Sequence, residues 1–296
     1  MLIIAKSPLM RKLLLFFIAA FSCTASFSQI QLGVFTGLSN YQGDLIDKPY
    51  QAGKFALGFT AGYQFSERIA LRTGLTFAKV GGADSLSAQA NLRQRNLSFQ
   101  SSIVEFSVRG EYNVFNISNM RWTPYAFGGL AVYHFNPYTF DANDQQVFLK
   151  PLSTEGQGLS QYPERKPYSL TQVALPLGGG IKYAISDNLH LGLEVGFRKL
   201  FTDYLDDVST TYADPLDLFN AKGAKAVEVS YRSDEVPGGN PLYPAKGEQR
   251  GGAEQKDWYY FTGLHLSFNL GELGNSSNDR GGRSGKKGYG CPGVGL

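Results

Sequence analysis

Residues Trp258 to Leu270 alternate in character with a period of two. Tyr260, Thr262, Leu264, Leu266, Phe268 and Leu270 fall on one side; Gly263, His265, Ser267 and Asn269 fall on the other. Successive side chains of a β-strand point to opposite faces, so this stretch reads as a strand with one apolar side. Such a strand has two homes. In a soluble sheet the apolar side packs on a core, and in a membrane barrel it faces lipid, with aromatic residues at the water boundary.

Composition leans towards lipid. Only 18% of the 296 residues are charged, 14% are aromatic and 35 are Gly. Ordinary soluble domains carry about 25% charged residues. Mean hydropathy is −0.20, and no long apolar run follows the N-terminus, which argues against helical spans. The formal net charge of +3 is small for this length and gives no reason to expect a nucleic-acid partner.

The N-terminus reads as an export signal spanning residues 1–28. Lys6, Arg11 and Lys12 form a basic start, Leu13 to Phe21 an apolar run, and Ser26-Phe27-Ser28 a cleavage site that leaves Gln29 first. Lipidation at Cys23 is the competing reading, and Phe21-Ser22 before it is a poor signal for that. Cleavage leaves one cysteine, Cys291. In an exported protein a lone cysteine is a free thiol or half of an intermolecular disulfide.

Seven further stretches alternate in the same way: Ile30–Val34, Phe55–Phe65, Ile69–Phe77, Val104–Val114, Tyr125–Phe135, Val173–Tyr183 and Leu189–Phe197. In the fifth of the eight, Tyr125, Phe127, Ala131, Tyr133 and Phe135 form the lipid side, with Gly128 and His134 opposite. The spacers alternate strictly between long (40–54, 79–99, 137–170, 202–257) and short (66–68, 116–121, 186–188). Outer-membrane barrels show this pattern, with tight periplasmic turns and long outer loops. The expected fold is therefore all-β: an eight-stranded antiparallel transmembrane β-barrel over residues 29–270 with long extracellular loops. Residues 271–296 form a flexible, basic periplasmic tail, and both termini lie in the periplasm of a cell outer membrane.

The polar faces carry Arg72, Arg109, Lys182 and Arg198 against Glu105, Glu111 and Glu194. Eight strands enclose a space just wide enough for side chains, so these seven charges are expected to pair as a plug. The last long spacer exceeds what a turn needs and suggests an ordered cap or a partner surface. Asp203, Asp206, Asp207 and Asp214 within it could bind Ca²⁺ but show no EF-hand-type spacing; a solvated acidic loop is the preferred reading. Gly178-Gly179-Gly180 lacks the Lys-Ser/Thr of a phosphate loop and sits within a strand. His134, His190 and His265 fall at different heights and read as structural. No catalytic residue, metal ligand or cofactor is assigned.

Several motifs together resemble the PorG family of Bacteroidota. They are Ser39-Asn40-Tyr41-Gln42-Gly43-Asp44-Leu45, Thr154-Glu155-Gly156-Gln157-Gly158 with Tyr162-Pro163-Glu164-Arg165, and Leu175-Pro176-Leu177-Gly178-Gly179-Gly180-Ile181-Lys182-Tyr183. The most specific is Thr202-Asp203-Tyr204-Leu205-Asp206-Asp207-Val208-Ser209-Thr210-Thr211-Tyr212. Arg250-Gly251, then Lys256-Asp257-Trp258-Tyr259-Tyr260-Phe261, and a terminal Gly290-Cys291-Pro292 complete the set. The chain departs from the family in ending Gly293-Val294-Gly295-Leu296. The resemblance implies a non-enzymatic barrel subunit of the type IX secretion system. Its implied partners are a PorK-like lipoprotein and a PorN-like ring protein in the periplasm, besides outer-membrane lipid. The tail, with Arg280, Arg283, Lys286, Lys287 and Tyr289, would reach that ring, and Cys291 would attach to it covalently. The rival readings are a small receptor or porin-like barrel, and a lipid-modifying barrel enzyme using His265 or His134.

Overall fold

Alternating strands with one apolar face can hide their backbone polar groups in lipid only by closing on themselves, because an open sheet edge leaves amides unpaired there. The computed structural model describes residues 30–270 apart from positions 118 and 255, and it shows that closure. The strands are β1 (Ile30–Gln42), β2 (Lys54–Gln64), β3 (Ile69–Ala83), β4 (Ser98–Asn113), β5 (Trp122–Phe140), β6 (Gln146–Phe148), β7 (Thr171–Ala184), β8 (Leu189–Leu200) and β9 (Trp258–Asn269). Every neighbouring pair is antiparallel. β9 closes the ring against β1 from Gln31↔Asn269 to Gln42↔Trp258. The short β6 lies outside the ring and extends the tip of β5 through Tyr138↔Phe148. The eight remaining strands form a transmembrane barrel with all long connections at one end, the loop end. Tight turns and both ends of the described chain lie at the other, the turn end.

The barrel is inside out relative to a soluble protein. Leu75, Val108, Leu130, Leu193 and Leu264 are exposed around its waist. Phe65, Tyr112, Trp122 and Tyr183 ring the turn end, and Phe55, Phe77, Phe197 and Phe201 sit towards the loop end. An apolar band between two aromatic girdles is what a bilayer selects. No described helix is long and apolar enough to cross a membrane.

β5 corrects the expected facing. Tyr125, Phe127, Ala131, Tyr133 and Phe135 are buried inside the barrel, and His134 points outwards. The cause lies on the facing strands. The inner positions of β7 and β8 include Gly178, Gly180, Gly192 and Gly196. A Cβ on Gly178 would come within 2.6 Å of Phe127, and one on Gly196 within 2.8 Å. These glycines leave a floor on which Tyr125 and Phe127 lie. Leu130 and Val132 meet lipid instead.

Residues 202–257 are an ordered cap. Helix α2 (Pro215–Lys222) starts where Asp214 accepts from the Leu216 N–H, with Pro215 in the first turn, and it ends at Gly223 with φ of 85°. Helix α3 (Ala224–Ser230) follows directly, and a shorter α1 (Ala90–Arg95) lies in the β3–β4 connection. Leu205, Val208 and Val229 of the cap join Tyr41, Phe99, Tyr133 and Phe135 of the strands in one buried cluster. The cap and the upper barrel therefore share a core.

The outer face makes a direct prediction. Leu193→Arg should cost about 2–4 kcal/mol relative to Leu193→Ala if the waist lies at the bilayer midplane. Equilibrium urea unfolding in lipid vesicles measures it, and a difference near zero would contradict a lipid-facing Leu193.

Candidate functional site

The seven charges picked out from the sequence all lie inside the barrel, each no more than 5% exposed. β3 and β4 set Arg72 directly opposite Arg109. Two like charges side by side need a shared counter-ion, and Glu194 from β8 supplies it. Its carboxylate meets Arg72 Nη2 at 2.9 Å and Arg109 Nη1 at 2.8 Å, and it accepts from Tyr125 Oη at 2.8 Å. Arg72 Nη2 also reaches Glu111 at 2.7 Å, and Lys182 pairs with the other oxygen of Glu111. Closer to the loop end, Arg198 grips Glu105 through Nε and Nη2, both at 3.0 Å, and Tyr259 Oη donates to Glu105 at 2.7 Å. Arg109 lies 4.7 Å over the Phe127 ring and Arg198 4.1 Å over Phe261. Charge, hydrogen bond and aromatic face together offset much of the cost of burying these groups, although Nε and Nη1 of Arg72 and Nε of Arg109 meet no hydrogen-bond acceptor among the described residues.

Above this plug runs an aromatic ladder. Phe261 packs on Tyr259, Tyr259 on Tyr133, Tyr133 on Phe135, Phe135 on Tyr168, and Tyr168 on Tyr204 with ring centroids 4.9 Å apart. The ladder leads from the barrel interior into the loops. At its top, five of the motifs quoted above converge. Glu155 accepts from Arg250 Nη1 at 2.9 Å and from the Ser209 and Thr210 N–H groups. Tyr168 donates to Asp207 at 2.7 Å, Ser209 to Asp203 at 2.8 Å, and the Gly252 N–H to Asp44 at 2.8 Å. Tyr41 Oη lies 2.5 Å from Asp206 and 3.1 Å from Asp257. A hydroxyl has one proton to give, so a proton on one of those carboxyls completes the second contact.

This overturns the expectation of a solvated acidic loop. Asp203, Asp206 and Asp207 are buried, and Asp214 instead caps α2. The reason is that these carboxylates find O–H and N–H donors in Tyr41 of β1, in Thr154 and Tyr168 between β5 and β7, and in Ser209 and the Val208 backbone of the cap itself. Burial raises Asp203 to about 7 against the Ser209 hydrogen bond, and raises Asp207 to about 6 against Arg250. Burial and then Asp257 push Asp206 well above the ordinary range; burial and then Asp203 do the same for Asp257. Among the described residues no group of three His, Cys, Asp or Glu side chains is arranged to hold a metal ion.

The histidines share no site. His265 Nε2 lies 2.8 Å from Thr60 Oγ1 in the interior, and His190 is buried near the turn end opposite Ser267. His134 Nδ1 lies 3.0 Å from Thr171 Oγ1 on the outer face. At the turn end a polar vestibule of about 740 Å³ is lined by Gln31, Gln64, Arg121, His190 and Asn269. At the loop end a groove of about 650 Å³ runs between the β1–β2 connection, α1 and the cap. Cys291, Arg280, Arg283, Lys286, Lys287 and Tyr289 lie outside the described residues, as does the 1–28 signal.

Sequence reasoning passed over Tyr125 and Tyr259 as charge partners, and Arg250, Glu155, Asp257 and Tyr41 as a cluster. Tyr125 was hidden because both faces of β5 are apolar between Trp122 and Val132. The cluster is assembled from distant loops, and no spacing announces it.

Glu194→Gln should destabilise the barrel by about 3–5 kcal/mol, since it strands two buried guanidinium groups; urea unfolding reads this directly. The cap should respond to pH with a definite sign. Acids whose folded pKa is raised add stability that is full below their ordinary value near 4 and lost as pH rises through about 6 to 7. Hydrogen exchange of residues 202–257, corrected for chemical exchange, should show stronger protection at pH 5 than at pH 8. Asp203→Asn should reduce the difference, and equal protection at both values would refute it.

Solved structures similar to this chain include Neisserial surface protein A, at 10% identity and TM-score 0.40, covering 81% of this chain and 96% of that one. The outer membrane protein OprG from Pseudomonas aeruginosa matches at 10% identity and TM-score 0.39, covering 82% and 97%. Ail of Yersinia pestis matches at 9% identity and TM-score 0.36, covering 81% and 99%. These are likenesses of fold alone. No curated protein matches the sequence. The profile of one family does match, over residues 11–218, and the chain thus belongs to the family described as a domain of unknown function, DUF6089.

Proposed function

We propose that this protein is a non-enzymatic outer-membrane subunit that anchors the periplasmic ring of a type IX secretion machinery. The observation that carries the proposal is the closed lumen. The Glu194 and Glu105 ion-pair layers fill the barrel interior and residues 202–257 pack over its loop end, which favours a plugged barrel over a pore. A closed barrel still serves as a fixed point in the membrane. The sequence adds what hangs from it: the segment 271–296 with Arg280, Arg283, Lys286, Lys287 and Tyr289, and Cys291 near its end. In this reading the turn end faces the periplasm, the segment meets a PorK-like lipoprotein or PorN-like ring protein, and Cys291 forms a disulfide with it. The motif resemblance to the PorG family supports the choice of machinery.

The second reading is a small receptor. The loop-end groove favours it, since Asp44, Asp47, Gln89, Asn91 and Gln249 line an accessible polar surface. A lipid-modifying enzyme is less well supported: His265 is buried inside the barrel and His134 has Thr171 as its neighbour on the outer face.

Affinity isolation from native membranes under non-reducing conditions tests the anchor. A periplasmic ring component should co-purify in a reductant-sensitive, higher-mass band that Cys291→Ser abolishes. In planar bilayers the purified protein should show no large conductance. Large, stable conductance steps together with an unchanged band in Cys291→Ser would sink the anchor in favour of a pore.

A further inference from the structure

The loop-end groove is lined by polar groups that the packing of the cap does not use. Asn91, Gln94 and Arg95 stand three and four residues apart on α1, so they share one helix face, and all three line the groove. Arg95 is engaged, with Nε and Nη2 both 2.7 Å from Asp84. Asn91 and Gln94 are exposed, and their amides make no hydrogen bond among the described residues. Free amides on a solvated helix are ordinary. The opposite wall is not, because its unused groups are buried. Tyr212 is 4% exposed and Arg250 2%, and both line the groove. Arg250 spends Nε on the Ser230 carbonyl and Nη1 on Glu155 and the Asp207 carbonyl. Its Nη2 and the Tyr212 Oη make no hydrogen bond among the described residues, and neither atom is enclosed by protein. Burial raises the pKa of the Tyr212 hydroxyl while Arg250 and Arg95 lower it, so the hydroxyl stands beside both guanidinium groups.

The same groove offers an acceptor. Asp44 takes the Gly252 N–H on Oδ2 at 2.8 Å and leaves Oδ1 without a donor. Donors, an acceptor and amides that serve as both therefore line one space. Charge narrows what fits it. Arg95 is answered by Asp84 and Arg250 by Glu155, so Asp44 and Asp47 leave the wall negative and an anion is repelled. The free Arg250 and Tyr212 donors disfavour a metal ion. Ile46 and Leu92 are the aliphatic side chains of the described lining, too few to seat the side chains of a peptide. A volume of about 650 Å³ suits a ligand of small-molecule size.

We infer that the loop-end groove binds a neutral saccharide between α1 and the Tyr212–Arg250 wall of the cap. Each sugar hydroxyl both donates and accepts, which matches a lining of mixed sign better than any group of one kind. Hydroxyls would accept from Tyr212 Oη and Arg250 Nη2, donate to Asp44 Oδ1, and exchange hydrogen bonds with the amides of Asn91 and Gln94. The inference rests on the receptor reading of this groove and names its ligand class. The anchor reading concerns the turn end, where Asn269 lies, and stands or falls separately.

Saturation-transfer NMR on the full chain, refolded in sugar-free lauryldimethylamine oxide micelles, tests this. The probes are maltotriose, mannotriose and triacetylchitotriose, with trigalacturonate as the acidic counterpart. At least one neutral trisaccharide should receive saturation and trigalacturonate none. Tyr212→Phe removes one donor, and Asn91→Ala removes one exposed amide that holds nothing else in place. Each should raise the dissociation constant about two- to tenfold, the worth of one hydrogen bond. Should Tyr212→Phe fail to refold, Asn91→Ala alone gives the reading. Affinity unchanged in the variants overturns the site. Saturation of trigalacturonate alone overturns the ligand class while leaving a receptor groove, and saturation of no probe removes the receptor reading with it. The reductant-sensitive Cys291 band is indifferent to all of these, which separates a failure here from a failure of the anchor.

Discussion

Glu194 is the group on which the interior of this protein depends. It alone answers both Arg72 and Arg109, which the β3–β4 register forces into opposition. Removing β3, β4, β5 or β8 would break that arrangement, because its members come from those four strands. A barrel of eight strands has too little interior to hold bulk water and too much to be filled by methyl groups alone. Long charged side chains, laid over Tyr125, Phe127 and Phe261, fill that intermediate space. The cost of desolvating them is offset by neighbours that are charged or aromatic at every turn.

The cap solves the opposite problem. It collects carboxyl groups rather than spreading them, and holds them with backbone N–H groups, three tyrosine hydroxyls and Arg250. Such a cluster rewards partial protonation. It also ties four loops to one another, which explains how a segment rich in Pro and Gly remains packed. The aromatic ladder through Tyr133, Phe135, Tyr168 and Tyr204 joins this cluster to the plug.

Much of the barrel was legible because a bilayer imposes a two-residue period that little else overrides. Strand number, loop alternation and the paired interior charges all follow from that period and from side-chain size. β5 was misread for a definite reason. When both faces of a strand are apolar, its parity is set by the partner strands, here by Gly178, Gly180, Gly192 and Gly196, whose empty inner positions demand aromatic filling. The cap was misread because acidity alone signals solvent, whereas donors from Tyr41 of β1, from Thr154 and Tyr168 between β5 and β7, and from Ser209 within the cap reverse the preference of Asp203, Asp206 and Asp207. Resemblance flagged these same stretches as motifs, and the structure shows them meeting at one place.

The seam between β1 and β9 has a bearing on assembly. Its partners, from Gln31↔Asn269 to Gln42↔Trp258, are almost as far apart in sequence as two described residues can be. Contacts of such high order form late and slowly. Until β9 is synthesised and delivered, β1 and β8 each present a naked row of amides and carbonyls, a template for mispairing with any neighbouring chain. Pairing of β9 with β1 and β8 removes both exposed edges at once.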